Sequence, residues 1–143
     1  MKRFNLNRVV VAIAMMLIGW LPSLAHDFEV DGIFYKKTGG NTVSVAYKGN
    51  NVNDYENEYF GAVNIPSSVT FNGVEYSVTR IGDCAFQYCN ALTSIEISNS
   101  ITSIKESAFE GCTGFTGDLV IPESVTTIEN YVFAKCTGFT GSL

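Results

Sequence analysis

The sequence predicts a mainly β solenoid of coils about 23 residues long, each with short strands and one helical turn, behind an N-terminal β-hairpin cap. Three observations carry this. From Val78 the chain repeats itself, as VTRIGDCAFQYCNALTSIEISNS, then ITSIKESAFEGCTGFTGDLVIPES from Ile101 and VTTIENYVFAKCTGFTGSL from Val125, with a period of 23 and then 24 residues. The same columns recur in every copy: Val78/Ile101/Val125, Ile81/Ile104/Ile128, Phe86/Phe109/Phe133, Cys89/Cys112/Cys136 and Leu92/Phe115/Phe139. Ahead of the repeats, His26 to Tyr59 shows no trace of the period and instead alternates as short strands do. A coil of this size cannot bury its apolar face alone, so each copy must stack on the next.

Taken in order, Lys2, Arg3 and Arg8 lead into the apolar run Val9 to Leu21, then Pro22 and Ser23-Leu24-Ala25. This is the pattern of a secretory signal peptide over residues 1–25, cleaved after Ala25. Its 13-residue apolar core falls short of the roughly 20 residues of a membrane span, so no span remains after cleavage. Residues 26–62 read as the cap. Phe28, Val30, Ile33 and Tyr35 flank Asp31-Gly32, and Val43, Val45 and Tyr47 alternate beyond Gly39-Gly40-Asn41, which predicts two or three antiparallel strands before a polar loop from Gly49 to Glu58.

The solenoid is assigned to 63–143, because Val63-Asn64-Ile65-Pro66 matches Val120-Ile121-Pro122. Ile65 to Ile97 exceeds the period by nine residues, and the excess is a hairpin insert at 70–78 with a type I′ turn signal at Asn72-Gly73. Within a repeat, Ile95-Glu96-Ile97 reads as a strand and Ile101 to Ile104 as a second extended piece. Glu106 to Cys112, with a Gly near its end, reads as the helical turn. Phe139-Thr140-Gly141-Ser142-Leu143 copies Phe115 to Leu119 and stops in mid-repeat. The expectation is a fragment of a longer repeat protein, whose uncapped last coil is a surface for self-association.

The run S-x-x-x-AF-x-x-C, then a short I-x-I or L-x-I-P strand, then V-T-x-I resembles the BspA-like leucine-rich repeats of bacterial secreted and cell-surface proteins, over roughly Val63 to Leu143. Leu92-x-x-Ile95-x-Ile97-x-x-Ser100 is similar to the general leucine-rich template, with Ser where other subfamilies carry Asn. The hydroxyls of Ser68, Ser100 and Ser124 are expected to bond turn backbone instead. The resemblance implies a leucine-rich-repeat-like fold, an exported protein that is extracellular or at the cell surface, and host or bacterial surface proteins as partners. The expected function is an adhesion-type recognition module; the alternative is a structural spacer or assembly segment of a longer surface protein.

Charge and chemistry narrow the rest. Cleavage after Ala25 removes three of nine Lys+Arg and none of fourteen Asp+Glu, taking the formal charge from −5 to −8 over 118 residues. Such a body repels nucleic acid, which needs Lys/Arg clusters. The column cysteines point the same way from successive coils, so small buried side chains are expected rather than disulfides. Cys84, whose counterparts are Ser107 and Tyr131, is the likelier reactive thiol. His26 is the only histidine and opens the mature chain; no close-spaced Cys/His set suits zinc, Asp54 to Glu58 only loosely approaches a calcium loop, and no cofactor is expected. Without a nucleophile elbow or a second histidine, and with Glu106/Glu110 placed on an outward turn, no catalytic residues are assigned and the chain reads as a non-enzyme. What remains is a face. Strand alternation puts Asn64, Glu96 and Val120 in one outward column with Ser94 and Asp118 beside it, and these five are the binding-face candidates. The aromatic group Tyr47, Tyr55, Tyr59 and Phe60 is a second candidate, or a cover for the first coil.

Overall fold

The computed structural model describes residues 24–49 and 57–139. The signal peptide expected over 1–25 therefore lies outside the described residues but for Leu24 and Ala25, as do most of the polar loop and the last four residues of the chain. Nine strands are described: β1 Phe28–Val30, β2 Ile33–Gly39, β3 Thr42–Ala46, β4 Gly61–Ile65, β5 Ser68–Phe71, β6 Val74–Ile81, β7 Leu92–Ile97, β8 Ser103–Ile104 and β9 Thr127–Ile128.

The cap is the antiparallel β1-β2-β3 meander, and in its β1–β2 turn Asp31 (φ 50°) and Gly32 (φ 79°) both take the left-handed region that matches strand twist. It does not stand apart from the repeats. β3 pairs in parallel with β6, Val43 beside Val78 and Val45 beside Ile81, and the sheet runs on as β1-β2-β3-β6-β8-β9 with β5 against β6. β5 and β6 form the expected hairpin, turning at Asn72 (φ 51°) and Gly73 (φ 77°). It is longer than the insert, because β6 continues into the V-T-x-I column. That column builds one ladder, from β6 through β8 to β9; the I-x-I column builds a second, β4 with β7, followed by the bridge between Gly117 and Phe139.

The helical turn is corrected. Among the described residues there is no helix, and Glu106 to Cys112 is a run of tight turns instead. Its φ signs explain why. Cys84, Ser107 and Tyr131 open the run at φ 52° to 59°, and Tyr88, Gly111 and Lys135 close it at 57° to 73°, so no helical stretch can grow between them. Backbone donors then alternate in destination. The amides of Ala85, Gln87 and Cys89 bond three residues back, while those of Cys84, Phe86 and Tyr88 bond the carbonyls of Glu106, Ala108 and Glu110 in the next coil. The next pair of coils repeats this, from Ser107, Phe109 and Gly111 to Asn130, Val132 and Ala134. Each coil is thus tied to its neighbour by main chain on this side as well as in the ladders.

Inside, Phe86, Phe109 and Phe133 stack nearly parallel, with ring centroids 5.0 and 5.6 Å apart, and Phe115 stacks on Phe139 at 4.7 Å. Tyr59 closes the near end. Its ring lies 4.5 Å from Phe86, and its hydroxyl donates to the Ala46 carbonyl (2.7 Å) while accepting from the Phe34 amide (3.1 Å), which ties the cap to the first coil. The serine column departs from the expected turn bonds: Ser100 donates to the Val78 carbonyl of strand β6 at 2.6 Å, Ser68 bonds the Glu75 carboxylate, and the buried Ser124 hydroxyl has no partner among the described residues.

All four cysteines are free. The thiols of Cys112 and Cys136 donate to the Phe86 and Phe109 carbonyls of the preceding coils, both at 2.9 Å, so the column repeats a hydrogen bond instead of forming disulfides. Burial pushes the Cys89 thiol up to about 11 and raises Cys112 further. Cys84 is half-buried, and burial, then Asp83, Glu110 and Glu106, raise its pKa and disfavour the thiolate. In native protein at neutral pH, maleimide labelling should miss Cys89 and Cys112, and the half-buried Cys84 should react more slowly than free cysteine. Mass spectrometry before and after denaturation checks both.

Candidate functional site

β4 and β7 run parallel, with Asn64 beside Glu96 and Ala62 beside Ser94. Strand alternation turns Ile65 and Ile97 into the core and leaves Asn64, Ser94 and Glu96 exposed on the other side. Three of the five candidates thus share one face of a regular strand pair. Asp118 and Val120 are exposed too, Val120 by 73%, but they lie on irregular chain past Gly117 and join no described strand. The next coil is held there by the Thr116 amide on the Thr93 carbonyl (3.1 Å), and by close backbone approach at a glycine. A Cβ on Gly114 would overlap the Asn90 carbonyl oxygen and come within 2.9 Å of that of Leu92; Gly138 meets Phe115 and Thr113 in the same way.

Beside this face an open cleft of about 810 Å³ separates the β1–β2 turn from β4. Asn64 and Glu96 reach its edge. Phe60, from the aromatic candidate group, stands 74% exposed in it, and Asp31 and Glu58, which are not among the binding-face candidates, add two carboxylates. Among the described lining residues there is no Lys or Arg. The aromatic group is divided, since Tyr59 is core, Tyr47 is half-buried, Phe60 is exposed and Tyr55 lies outside the described residues. Phe60 leaves no periodic signal because Gly61 (φ 68°) turns the chain immediately after it.

Burial lifts the Glu58 carboxyl from 4.5 to about 7, only partly offset by the Lys48 amide that its Oε2 accepts at 2.8 Å and by the Lys48 charge. A carboxyl whose folded pKa lies above its unfolded value stabilises the fold fully below the unfolded value, and that stability is lost as pH rises through the folded one. The melting temperature should therefore rise as pH is lowered from above 7 towards 4.5, and Glu58→Gln should flatten that slope. Glu110 and Glu129 are held below the usual carboxylate range, chiefly by hydrogen bonds from Lys135 and Lys105, so their contributions fade at lower pH still.

The residues weighed for chemistry fall into structural roles. Glu110 accepts from Lys135 and Gln87 (2.8 Å each) and from Ser107 (3.0 Å), which occupies it as a cross-coil tie and disfavours the protonated form a general acid needs. His26, which opens the expected mature chain, packs its ring 4.7 Å from Phe34. Among the described residues no three His, Cys, Asp or Glu side chains are grouped to hold a metal ion, and no helix is long and apolar enough to cross a membrane.

The model of the BspA type leucine rich repeat region matches residues 54–141, in six copies. The chain belongs to this family. A solved leucine-rich repeat protein from Bacteroides ovatus is similar to it at 33% identity and a TM-score of 0.67, over 81% of this chain and 29% of that one. A leucine rich cell surface protein from Faecalibacterium prausnitzii is similar at 25% identity and a TM-score of 0.63, over 86% of this chain and 31% of that one. A leucine-rich repeat protein from Bacteroides capillosus, at 22% identity and a TM-score of 0.50, shares the fold. This BspA-type chain thus spans about a third of the length of the first two. No protein of curated function matches the sequence.

Proposed function

We propose that this BspA-type chain is an exported recognition module that binds protein partners outside the cell or at its surface and performs no catalysis. The observation that carries the reading is the solvent-facing side of β4–β7, where Asn64, Ser94 and Glu96 stand exposed on a rigid strand pair next to an open cleft. Regular strands hold side chains more accurately than loops do, which suits a surface selected for contact. The acidic balance of the chain favours protein partners over nucleic acid. Family membership and a cell-surface structural relative support the location.

Surface plasmon resonance tests this with the exported chain immobilised and host matrix proteins or intact bacterial cells passed over it. Saturable binding that weakens in Asn64→Lys/Glu96→Lys is expected; binding that does not saturate would sink the reading. A second reading, a spacer that assembles end to end, is favoured by β9, whose outer edge is unpaired among the described residues and whose Ile128 is exposed. It expects concentration-dependent association in sedimentation, abolished by Ile128→Lys, and no saturable partner.

A further inference from the structure

We infer that the cleft between the β1–β2 turn and β4 receives an extended, lysine- or arginine-bearing segment of a partner protein, added as a strand along β4. The inference rests on the recognition reading and names its partner's chemistry. Four observations converge. β4 pairs with β7 on one side, and among the described residues no strand pairs with its other edge. An open edge offers a row of main-chain donors and acceptors to any extended segment, the basis of recognition by strand addition. The space beside that edge suits such a guest: about 810 Å³ lies between β4 and the turn at Asp31-Gly32, within the range of a built binding cleft.

Charge then selects among guests. Asp31, Glu58 and Glu96 border the cleft, with no described Lys or Arg among its lining residues, so a cationic strand is attracted and an acidic one repelled. A cation beside Glu58 would also favour the ionised carboxylate that burial now disfavours. Between the carboxylates, exposed Phe60 and half-buried Val63 offer apolar contact. A strand shows its side chains alternately to two faces, so one that alternates basic with apolar residues meets both surfaces at once. A second copy of this chain fits poorly, because its own acidic surface would meet three carboxylates.

The probe is a fluorescein-labelled peptide of about seven residues alternating Lys and Val, long enough to run past β4. Two controls accompany it: one with Glu for Lys, and one N-methylated at every backbone amide, which keeps the charge and side chains but has no N–H to donate to a ladder. Anisotropy should show saturable binding of the Lys–Val peptide, weaker by about tenfold for either control and in Glu58→Gln/Glu96→Gln. Amides of 61–65 should exchange about tenfold more slowly in its presence. Equal binding of the N-methylated peptide, or unchanged exchange in β4, would overturn strand addition. So would sedimentation of the free chain as a dimer with β4 already protected, since a second copy would then fill the cleft. If a matrix protein binds saturably but is not displaced by the Lys–Val peptide, this inference fails while the recognition reading stands. If nothing binds, both fail.

Discussion

Phe109→Ala should cost about 3 to 5 kcal/mol of stability, the range for removing a fully buried aromatic ring whose cavity cannot collapse. Phe109 is completely buried, its ring sandwiched between Phe86 and Phe133 at interplanar angles near 5°, with Phe115 edge-on at 6.0 Å. Relaxation is blocked on both sides, because the main-chain bonds from Phe86 to Ala108 and from Phe109 to Val132 hold the coils at fixed spacing. Phe133 is only half-buried, so Phe133→Ala should cost clearly less. Urea unfolding of the two variants checks this, and equal losses would contradict a stack in which the middle ring is packed from both sides.

Gly114→Ala should be nearly as damaging, although it adds one methyl group. Overpacking ordinarily costs about 1 to 3 kcal/mol because side chains yield, but here the obstacles are the carbonyl oxygens of Asn90 and Leu92, which are main chain. The loss should reach the top of that range or pass it. Backbone conformation is not the cause, since Gly114 lies outside the positive-φ glycines. The first coil supplies an internal control: Ala91 fills the same column, facing the cap, where its amide meets Asn57 Oδ1 at 3.0 Å and its carbonyl accepts the Gly61 amide at 2.8 Å. Ala91→Gly should cost no more than about 1 kcal/mol, and thermal melts of the two variants side by side would expose any failure of this asymmetry.

Those two glycine variants mark the boundary of what the sequence makes legible. The Phe column was readable because one apolar residue recurs at a fixed period, and the Asn72-Gly73 hairpin because its turn demands those residue types. Gly114 and Gly138 recur just as regularly, yet a glycine after Thr passes for turn punctuation, and only the neighbouring coil reveals a close approach. The turn run was misread for a related reason. Gly111 looks like a helix stop, but Cys84, Tyr88, Tyr131 and Lys135 take the same left-handed backbone with no residue preference to announce it. At the candidate site, period-two alternation placed Asn64, Ser94 and Glu96 correctly on one face. Asp118 and Val120 were aligned by the same register and are exposed, but their segment is not a strand. The cleft was invisible, because it depends on where the β1–β2 turn lands relative to β4, and no local pattern encodes that distance.

The matching of each column to its own copy has a genetic corollary. Phe meets Phe, the Cys112 and Cys136 thiols meet the Phe86 and Phe109 carbonyls one coil back, and Gly114 and Gly138 face the main chain of equivalent turns. A coil inserted by in-frame duplication of Ile101 to Ser124 would find its Phe and Cys columns and its Gly114 approach matched on both sides. The copy-on-copy interface, however, would set Lys105 against Lys105 and Glu110 against Glu110 where the chain now pairs Lys105 with Glu129 and Lys135 with Glu110, so lengthening the array calls for charge substitutions. The first coil is different. Its hairpin and the Tyr59 bridge bind it to the cap, so a copy of that coil would carry contacts with nothing to receive them. Growth and shrinkage by recombination are thereby confined to the interior coils, while the cap and its adjoining cleft stay constant.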